Sequence, residues 1–214
     1  MQIHIRPFKI SDAAELQSAV LQSVGHLGPW LEWATPRYSL GDARHWVDES
    51  RALWAKQLAY RWIITDEESR CILGSVEIGQ SATGVGLMGY WLRRQVLGKG
   101  ICTQAARAAL DYVFRSGLFE QVDLYIDPLN AASLAVARKL GAELQGEKAD
   151  GISYRGVAKP ALHLRVCAKN LRAQEGPTYG PRLLKPESSR GLTAENETVA
   201  SVYDFRRSLK NARQ

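Results

Sequence analysis

A turn with two closely spaced glycines, residues 95–100 (Gln-Val-Leu-Gly-Lys-Gly), has the pattern of an anion-binding loop. It follows a strand-like apolar run and opens directly into a segment with helical periodicity. Gly98 and Gly100 carry no side chain to block a ligand, so backbone N–H groups of the turn can converge on a phosphate. The positive end of the following helix would attract the same anion. The sequence therefore predicts a phosphate cradle at this turn.

The spacing of this turn differs from that of the two common nucleotide-binding loops. A mononucleotide loop ends in Gly-Lys followed by Ser or Thr, whereas Lys99 is followed by Gly100. The dinucleotide fingerprint needs a third glycine, which would fall at Thr103. The turn therefore fits neither type, and an ordinary strand-to-helix turn is the structural alternative.

A second polar element follows the strand-like run at residues 122–126. Residues 127–133, Asp-Pro-Leu-Asn-Ala-Ala-Ser, lead into a short helical segment that stops at Gly141. Asn130 and Ser133 are the side chains in it that could bind a ligand or move a proton. Both are also good helix N-cap residues, so capping is the structural alternative for each.

Together these two elements resemble the GNAT superfamily of N-acetyltransferases. The Gln-x-x-Gly-x-Gly pattern of residues 95–100 is similar to the family's acetyl-CoA pyrophosphate loop. Asn-x-x-Ser at residues 130–133 and Lys-Leu-Gly at residues 139–141 are similar to the RimJ/RimL branch, which acetylates protein N-termini. Gly-Tyr-Trp-Leu at residues 89–92 is also typical of that branch.

The resemblance covers roughly residues 2–169 in the order of elements, and it implies an α+β GNAT fold. In that fold a mixed, mostly antiparallel sheet of about six to seven strands is flanked by helices, and a splayed strand pair forms the CoA cleft. We assign residues 1–172 to this acetyltransferase domain. Residues 173–214 form a C-terminal extension, with a turn-rich linker and an amphipathic helix from Thr193.

The resemblance also assigns roles around the loop, with acetyl-CoA as the cosubstrate. A backbone N–H of the strand before the loop would hold the thioester oxygen. Asn130 would hydrogen-bond the pantetheine arm, and the Ser133 hydroxyl would protonate the departing thiolate. The implied cofactor-binding residues are Trp91, Leu92, Arg93, Gln95, Val96, Leu97, Gly98, Lys99, Gly100, Ile101 and Asn130.

The proton acceptor is where this sequence departs from the family pattern. Many relatives carry a glutamate two residues before the Gly-Tyr-Trp element, where this chain has Leu87, which cannot take a proton. The nearest carboxylate is Glu77, which alternation places on the same face of its strand as Ser75. Ser133 and Glu77 are therefore the candidate catalytic residues. Tyr90, a water chain from backbone carbonyls, and an acceptor that enters neutral are the other options.

The missing glutamate favours one class of acceptor. An N-terminal α-amine, with a pKa of about 7.7–8.0, is partly neutral at cytosolic pH, whereas a lysine amine near 10.4 needs more help. The leading hypothesis is acetyl transfer to a protein or peptide N-terminus. A small-molecule amine, the amino acid on a charged tRNA in a toxin-like enzyme, and a CoA-binding module without turnover are the alternatives.

An aromatic, proline-interrupted segment at residues 26–38 is a candidate wall of the substrate pocket. Trp30, Glu32 and Trp33 lie in it, and Tyr90 would join them from the strand. Glu32 would anchor a cationic substrate. The structural alternative is that the tryptophans are simply buried in the core.

The remaining periodic segments must position these groups. Apolar periodicity predicts a helix capped by Ser11, a second helix over residues 42–57, a helix after the glycine turn and a short one after Asn130. Strands are predicted at residues 3–5, 60–65, 72–78, 85–92, 122–126 and 161–168.

The composition of the chain limits where the protein is expected to act and what it can bind. No apolar run approaches the ~20 residues of a membrane span, and the first residues lack the apolar core of a secretion signal, so we expect a cytoplasmic protein without membrane contact. Neither the three cysteines nor the four histidines have ligand spacing, so we expect reduced thiols and no metal. The net charge of +6 suits acetyl-CoA and leaves nucleic-acid binding open. The predicted C-terminal helix could dock on its own domain, join a homodimer or fray.

Overall fold

A mixed β-sheet forms the centre of the fold. The computed structural model describes residues 2–66, 68, 71–81, 84–172 and 182–183. The strands are β1 (Ile3–Pro7), β2 (Ala59–Asp66), β3 (Ile72–Gln80), β4 (Gly86–Leu92), β5 (Gln121–Ile126), β6 (Glu143–Tyr154), β7 (Val157–Cys167) and β8 (Arg182–Leu183). They lie in the order β6-β7-β5-β4-β3-β2-β1-β8. Among the strands of the described residues, only the β4–β5 and β1–β8 pairs are parallel. The mixed, mostly antiparallel sheet is therefore confirmed, with two-residue β8 as an addition at one edge.

Helices cover both faces of this sheet. They are α1 (Ala13–Leu21), α2 (Val24–Leu27), α3 (Leu40–Ala55), α4 (Ile101–Arg115), α5 (Ala131–Lys139) and α6 (Ala168–Arg172). Side chains of β2 alternate between two apolar cores: Ile63 packs with residues of α1 and α3, whereas Trp62 and Ile64 pack with residues of α4. We call these two sides the α1–α3 face and the α4 face.

The first two predicted helices, α1 and α3, begin at different residues from those predicted. A 3-10 turn at Ile10–Asp12 precedes α1, and Ser11 does not cap it. The Asp12 carboxylate instead accepts a hydrogen bond from the backbone N–H of Lys9 at 2.7 Å and pairs with Arg6 at 2.8 Å. At α3, reciprocal hydrogen bonds between Ser39 and Asp42 make a capping box, so the helix starts at Leu40.

The last hairpin was the largest omission from the predicted elements. β6 was not predicted, and β7 begins four residues earlier than expected. Most side chains of β6 are exposed or half-buried, so its sequence lacks the apolar alternation that marks a strand with one buried face. The hairpin is held instead by pairing along β7.

The C-terminal helix predicted from Thr193 lies outside the described residues, as does most of the extension. Within the part of the chain that the structure describes, no helix is both long enough and apolar enough to cross a membrane.

Candidate active site

The parallel pair β4–β5 opens into a cleft. In the described residues the two strands pair only at Gly86 with Val122 and at Leu87 with Asp123. Beyond these pairs, β4 continues to Leu92 and β5 to Ile126. The edge of β4 that points toward β5 therefore presents backbone groups to the cleft instead of to a strand, and such groups need partners. The predicted splayed strand pair is confirmed.

The glycine turn stands at the open end of this cleft. Gly98 and Gly100 have φ of 75° and 74°, a left-handed conformation that favours glycine, and Gly100 is the N-cap of α4. A Cβ on Gly98 would meet no atom within 4 Å, so the space beside the turn is open. Val96 and Ile101 are buried and hold the turn in place, while Lys99 is exposed. The backbone amides at the start of α4 can thus receive an anion.

Gly74 fixes the end of β4 against β3. A Cβ at Gly74 would lie 2.1 Å from the carbonyl oxygen of Trp91, so only glycine allows this close approach. The backbone N–H of Arg93 donates to Leu73 O at 2.6 Å, and His26 Nε2 lies 2.9 Å from Leu92 O. β3 therefore holds one edge of the strand end, and His26 contacts the Leu92 carbonyl, which alternation places on the other edge.

The side chains of the predicted cofactor strand point away from the cleft. Trp91 and Leu92 are buried in the two cores on opposite faces of the sheet. Arg93 Nη2 pairs with Glu15 of α1 at 2.8 Å, and Gln95 Nε2 donates to Gln22 at 3.2 Å. The backbone of this segment, and not its side chains, is therefore available to bind a ligand.

Asn130, Ser133 and Tyr90 meet on the α4 face of the cleft. Asn130 Oδ1 accepts a hydrogen bond from the Ser133 N–H at 3.1 Å and so caps α5. Tyr90 OH reaches across from β4 and donates to the Ser133 carbonyl oxygen at 3.1 Å. The cap uses the main chain of Ser133, which leaves its hydroxyl for another role.

Glu77 lies in an ion-paired network on the α1–α3 face. Its Oε2 accepts from Arg61 Nε at 2.8 Å, and Arg61 Nη1 also pairs with Glu49 at 2.6 Å. The Arg61 guanidinium stacks over Trp46 at 3.7 Å. Gly89 lies opposite Glu77 on β4. One carboxylate oxygen of Glu77 is therefore engaged in a charge-assisted hydrogen bond.

The aromatic segment joins the tip of the β6–β7 hairpin. Glu32 Oε2 accepts from the backbone N–H of Arg155 at 2.6 Å, and Tyr154 OH donates to Gly28 O at 2.5 Å. We call these two hydrogen bonds the hairpin contact. Trp33 packs against Tyr38 and Trp91, with ring centroids 5.9 and 6.0 Å away, whereas Trp30 is exposed.

Sequence reasoning missed a polar cluster beside the point where the strands part. Asp123, only 6% exposed, lies opposite Leu87 and receives hydrogen bonds of 2.6 and 2.9 Å from Arg165. His163 Nε2 is 2.8 Å from Asp123 Oδ2. Burial acts to raise the pKa of Asp123, but the hydrogen bonds and charges of Arg165 and His163 hold it below its ordinary value. An acidic residue within the apolar strand at residues 121–126 was the available signal.

Neither a metal nor a reactive cysteine is indicated in the described residues. No group of three or more His, Cys, Asp or Glu side chains there is arranged to hold a metal ion. The three cysteines form no disulfide. Cys102 lies in the first turn of α4, where burial raises the pKa of its thiol to about 12 and keeps it protonated.

Comparison with known proteins identifies the family. The family described as acetyltransferase (GNAT) domain matches residues 2–143, and the chain belongs to it. Probable N-acetyltransferase YjcK of Bacillus subtilis is 26% identical over 161 residues, covering 72% of this chain and 88% of that protein. Spermidine N(1)-acetyltransferase of Escherichia coli is 33% identical over 89 residues, covering 42% and 47%.

Solved structures show the same fold. RimL, a ribosomal L7/L12 α-N-protein acetyltransferase in complex with coenzyme A, superposes with a TM-score of 0.71 at 21% identity, covering 78% of this chain and 94% of that one. Ribosomal-protein-S5-alanine acetyltransferase from Vibrio fischeri gives 0.71 at 20% identity, covering 80% and 96%. The predictions of a GNAT fold and of an acetyl-CoA-dependent N-acetyltransferase are therefore confirmed.

Proposed function

We propose that this acetyltransferase acts on the α-amine of a protein or peptide N-terminus. The observation that carries the proposal is Leu87, an apolar residue at the point where β4 and β5 part. The neighbouring strand carboxylates, Asp123 and Glu77, are already paired to Arg165 and Arg61. A site of this kind suits an amine that is partly neutral in solution. The likeness in fold to two ribosomal-protein acetyltransferases supports the same class.

On the cofactor side, the backbone amides of residues 95–100 would hold the pyrophosphate of acetyl-CoA. The pantetheine would then run along the free edge of β4, where its amides replace the missing strand as hydrogen-bond partners. A backbone N–H of Trp91 or its neighbours would bind the thioester oxygen as negative charge develops on it. The Nδ2 of Asn130 would contact the pantetheine arm while its Oδ1 keeps the helix cap.

In the transfer itself, the amine nitrogen attacks the thioester carbonyl carbon and the carbon–sulfur bond breaks. The Ser133 hydroxyl protonates the departing thiolate, since Ser133 lies at the cleft and its position is held by Asn130 and Tyr90. Residues 28–33 and the hairpin tip would form the wall on the acceptor side. An acceptor drawn from newly made proteins would place the reaction in the cytoplasm.

A small polyamine is the second candidate acceptor. The relative named for spermidine supports it, and so do Glu49 and Glu77, the two carboxylates that pair with Arg61 on the α1–α3 face. Carboxylates at this position would attract a cationic amine.

A thiol-release assay with acetyl-CoA tests the proposal. The acceptors are a panel of N-terminal peptides from ribosomal proteins, the same peptides with blocked α-amines and a free lysine, spermidine, and an aminoacyl-tRNA. We expect the highest kcat/KM on free α-amines and loss of turnover when they are blocked. Faster turnover of spermidine would favour the polyamine, and turnover of aminoacyl-tRNA alone would overturn both.

A further inference from the structure

We propose that a groove between α1 and α3 is the docking site of the C-terminal helix predicted from Thr193 of the same chain. The groove has a volume of about 280 Å³ and lies between the 3-10 turn at Ile10–Asp12, the start of α1 and one side of α3. We call it the tail groove. The interaction lies outside the transfer site and does not depend on which amine is acetylated.

The tail groove combines apolar surface with charges of both signs. Ala13 and Val47, which line it, are buried. Ile10 is 65% exposed, which is unusual for a large apolar side chain in the described part of the molecule. Arg44 and Asp48, both exposed and four residues apart on α3, add one charge of each sign. A segment that fits this groove should therefore carry an apolar stripe accompanied by both acidic and basic residues.

The direction of β8 brings the chain to this groove. β8 pairs with β1 in parallel, and the register places Leu183 opposite Ile5. The chain therefore leaves Leu183 in the direction in which β1 runs on toward Ile10. The five residues from Ile5 to Ile10 span at most about 17 Å, whereas residues 184–192 can reach about 30 Å. The segment from Thr193 onward is thus within reach of the groove.

The predicted C-terminal helix has a face that matches the groove. The residues on this face are three or four positions apart: Glu195, Val199, Val202, Arg206 and Leu209. α3 lines the groove with residues of the same spacing, Leu40, Arg44 and Val47. Helices with stripes of this spacing can pack side by side. The valines and the leucine would then cover the apolar lining, and the two charged residues would lie among groups of opposite charge on α3.

The covalent link favours the same chain over a second copy or another protein as the occupant. A short linker holds the helix at an effective concentration on the order of mM near the groove. Even a weak interaction is then formed within one molecule before a second molecule can compete for the groove.

Tryptic cleavage after Arg206 and Arg207 in the full-length enzyme measures docking, because a docked segment is cut only when it opens. We expect cleavage there to be at least about tenfold slower than in a synthetic peptide of residues 184–214. Ile10→Asp should remove this protection. Leu144→Asp is the matched control, because Leu144 is similarly exposed, at 60%, but lies on β6 at the other edge of the sheet. If Ile10→Asp fails to fold, Val202→Asp, which changes none of the described residues, should remove the protection in its place.

Cysteine cross-linking identifies the occupant. Ala14→Cys combined with Val202→Cys should form a disulfide within one monomer, because Ala14 is exposed in the groove. Ala14→Cys combined with Ala200→Cys, on the opposite face of the predicted helix, should not. A disulfide formed only between two molecules would make a second copy the occupant and overturn the proposal. Cleavage of the parent as fast as that of the free peptide would overturn it as well. Neither result would affect the proposed acetyl transfer.

Discussion

The two sides of the β4–β5 cleft are built from different parts of the chain. The proposed cofactor side consists mainly of backbone: left-handed glycines at the start of α4 and the unpaired edge of β4. The proposed acceptor side consists of side chains held by other side chains, as in the Arg61–Glu77 pair and the Asp123–His163–Arg165 cluster. A backbone site depends on a few local conformations, whereas a side-chain site depends on which strands are neighbours. Substitutions should therefore affect the two sides in different ways.

The largest effect is expected on the cofactor side. Gly100→Asp should reduce acetyl-CoA affinity by more than about 10²-fold, because a carboxylate would enter the space of the pyrophosphate and repel it. Gly117→Asp is the matched control: Gly117 also has a positive φ, 67°, and open space around it, but it lies past the other end of α4. Calorimetry should show loss of binding in the first variant only. Equal affinities in the two folded variants would remove the loop from the site.

Ser133→Ala should give the next largest effect. We expect kcat to fall by about 10²-fold or somewhat less, with acetyl-CoA affinity near that of the parent. The thermal midpoint should not change, because the α5 cap uses the Ser133 N–H and not its hydroxyl. Asn130→Ala is the contrasting variant and should cost about 1 kcal/mol of stability through the lost cap. A Ser133→Ala variant with full activity would show that another group protonates the thiolate.

Glu77→Gln should have the smallest effect on rate. With an α-amine that enters largely neutral, as proposed, no carboxylate is needed and kcat should stay within about threefold of the parent; Glu77 pairs with Arg61 instead. The variant should lose about 1 kcal/mol of stability through the weakened charge-assisted hydrogen bond. Glu120→Gln, at an exposed position, should change neither quantity. If Glu77→Gln instead slowed turnover by about 10²-fold and removed the acidic limb of the pH profile, Glu77 would be the base.

The conformation of the glycine turn could be predicted from the sequence because its determinants are local. Two glycines in a short turn specify a backbone conformation, and helical periodicity after Gly100 specifies the helix it caps. Asn130 shows the limit of this reasoning, since helix capping and ligand binding were offered as alternatives and the cap is present in the structure. Its contact with pantetheine stays a prediction.

The polar cluster on β5 and β7 and the hairpin contact could not be predicted in the same way. Asp123, His163 and Arg165 are up to 42 residues apart, and only the β5–β7 pairing brings them together. β6 was missed because exposed polar residues fill most of it. Glu32 was identified as a feature of the acceptor wall, but its partner, the Arg155 N–H, comes from the unpredicted hairpin. Long-range pairing of this kind leaves no local pattern in the sequence.

The hairpin contact has a consequence for the order in which the enzyme becomes active during synthesis. Its two hydrogen bonds join residues separated by 126 and 123 positions in the chain. The glycine turn, β4 and β5 precede residues 154–163 in the chain, so the proposed cofactor half of the site is synthesised before the hairpin tip that completes the proposed acceptor half. Long-range closure of this kind is also slow, because the entropy of the intervening chain is lost first. With the acceptor wall proposed above, selectivity for the acceptor would arise only when the last strands of the domain have been added.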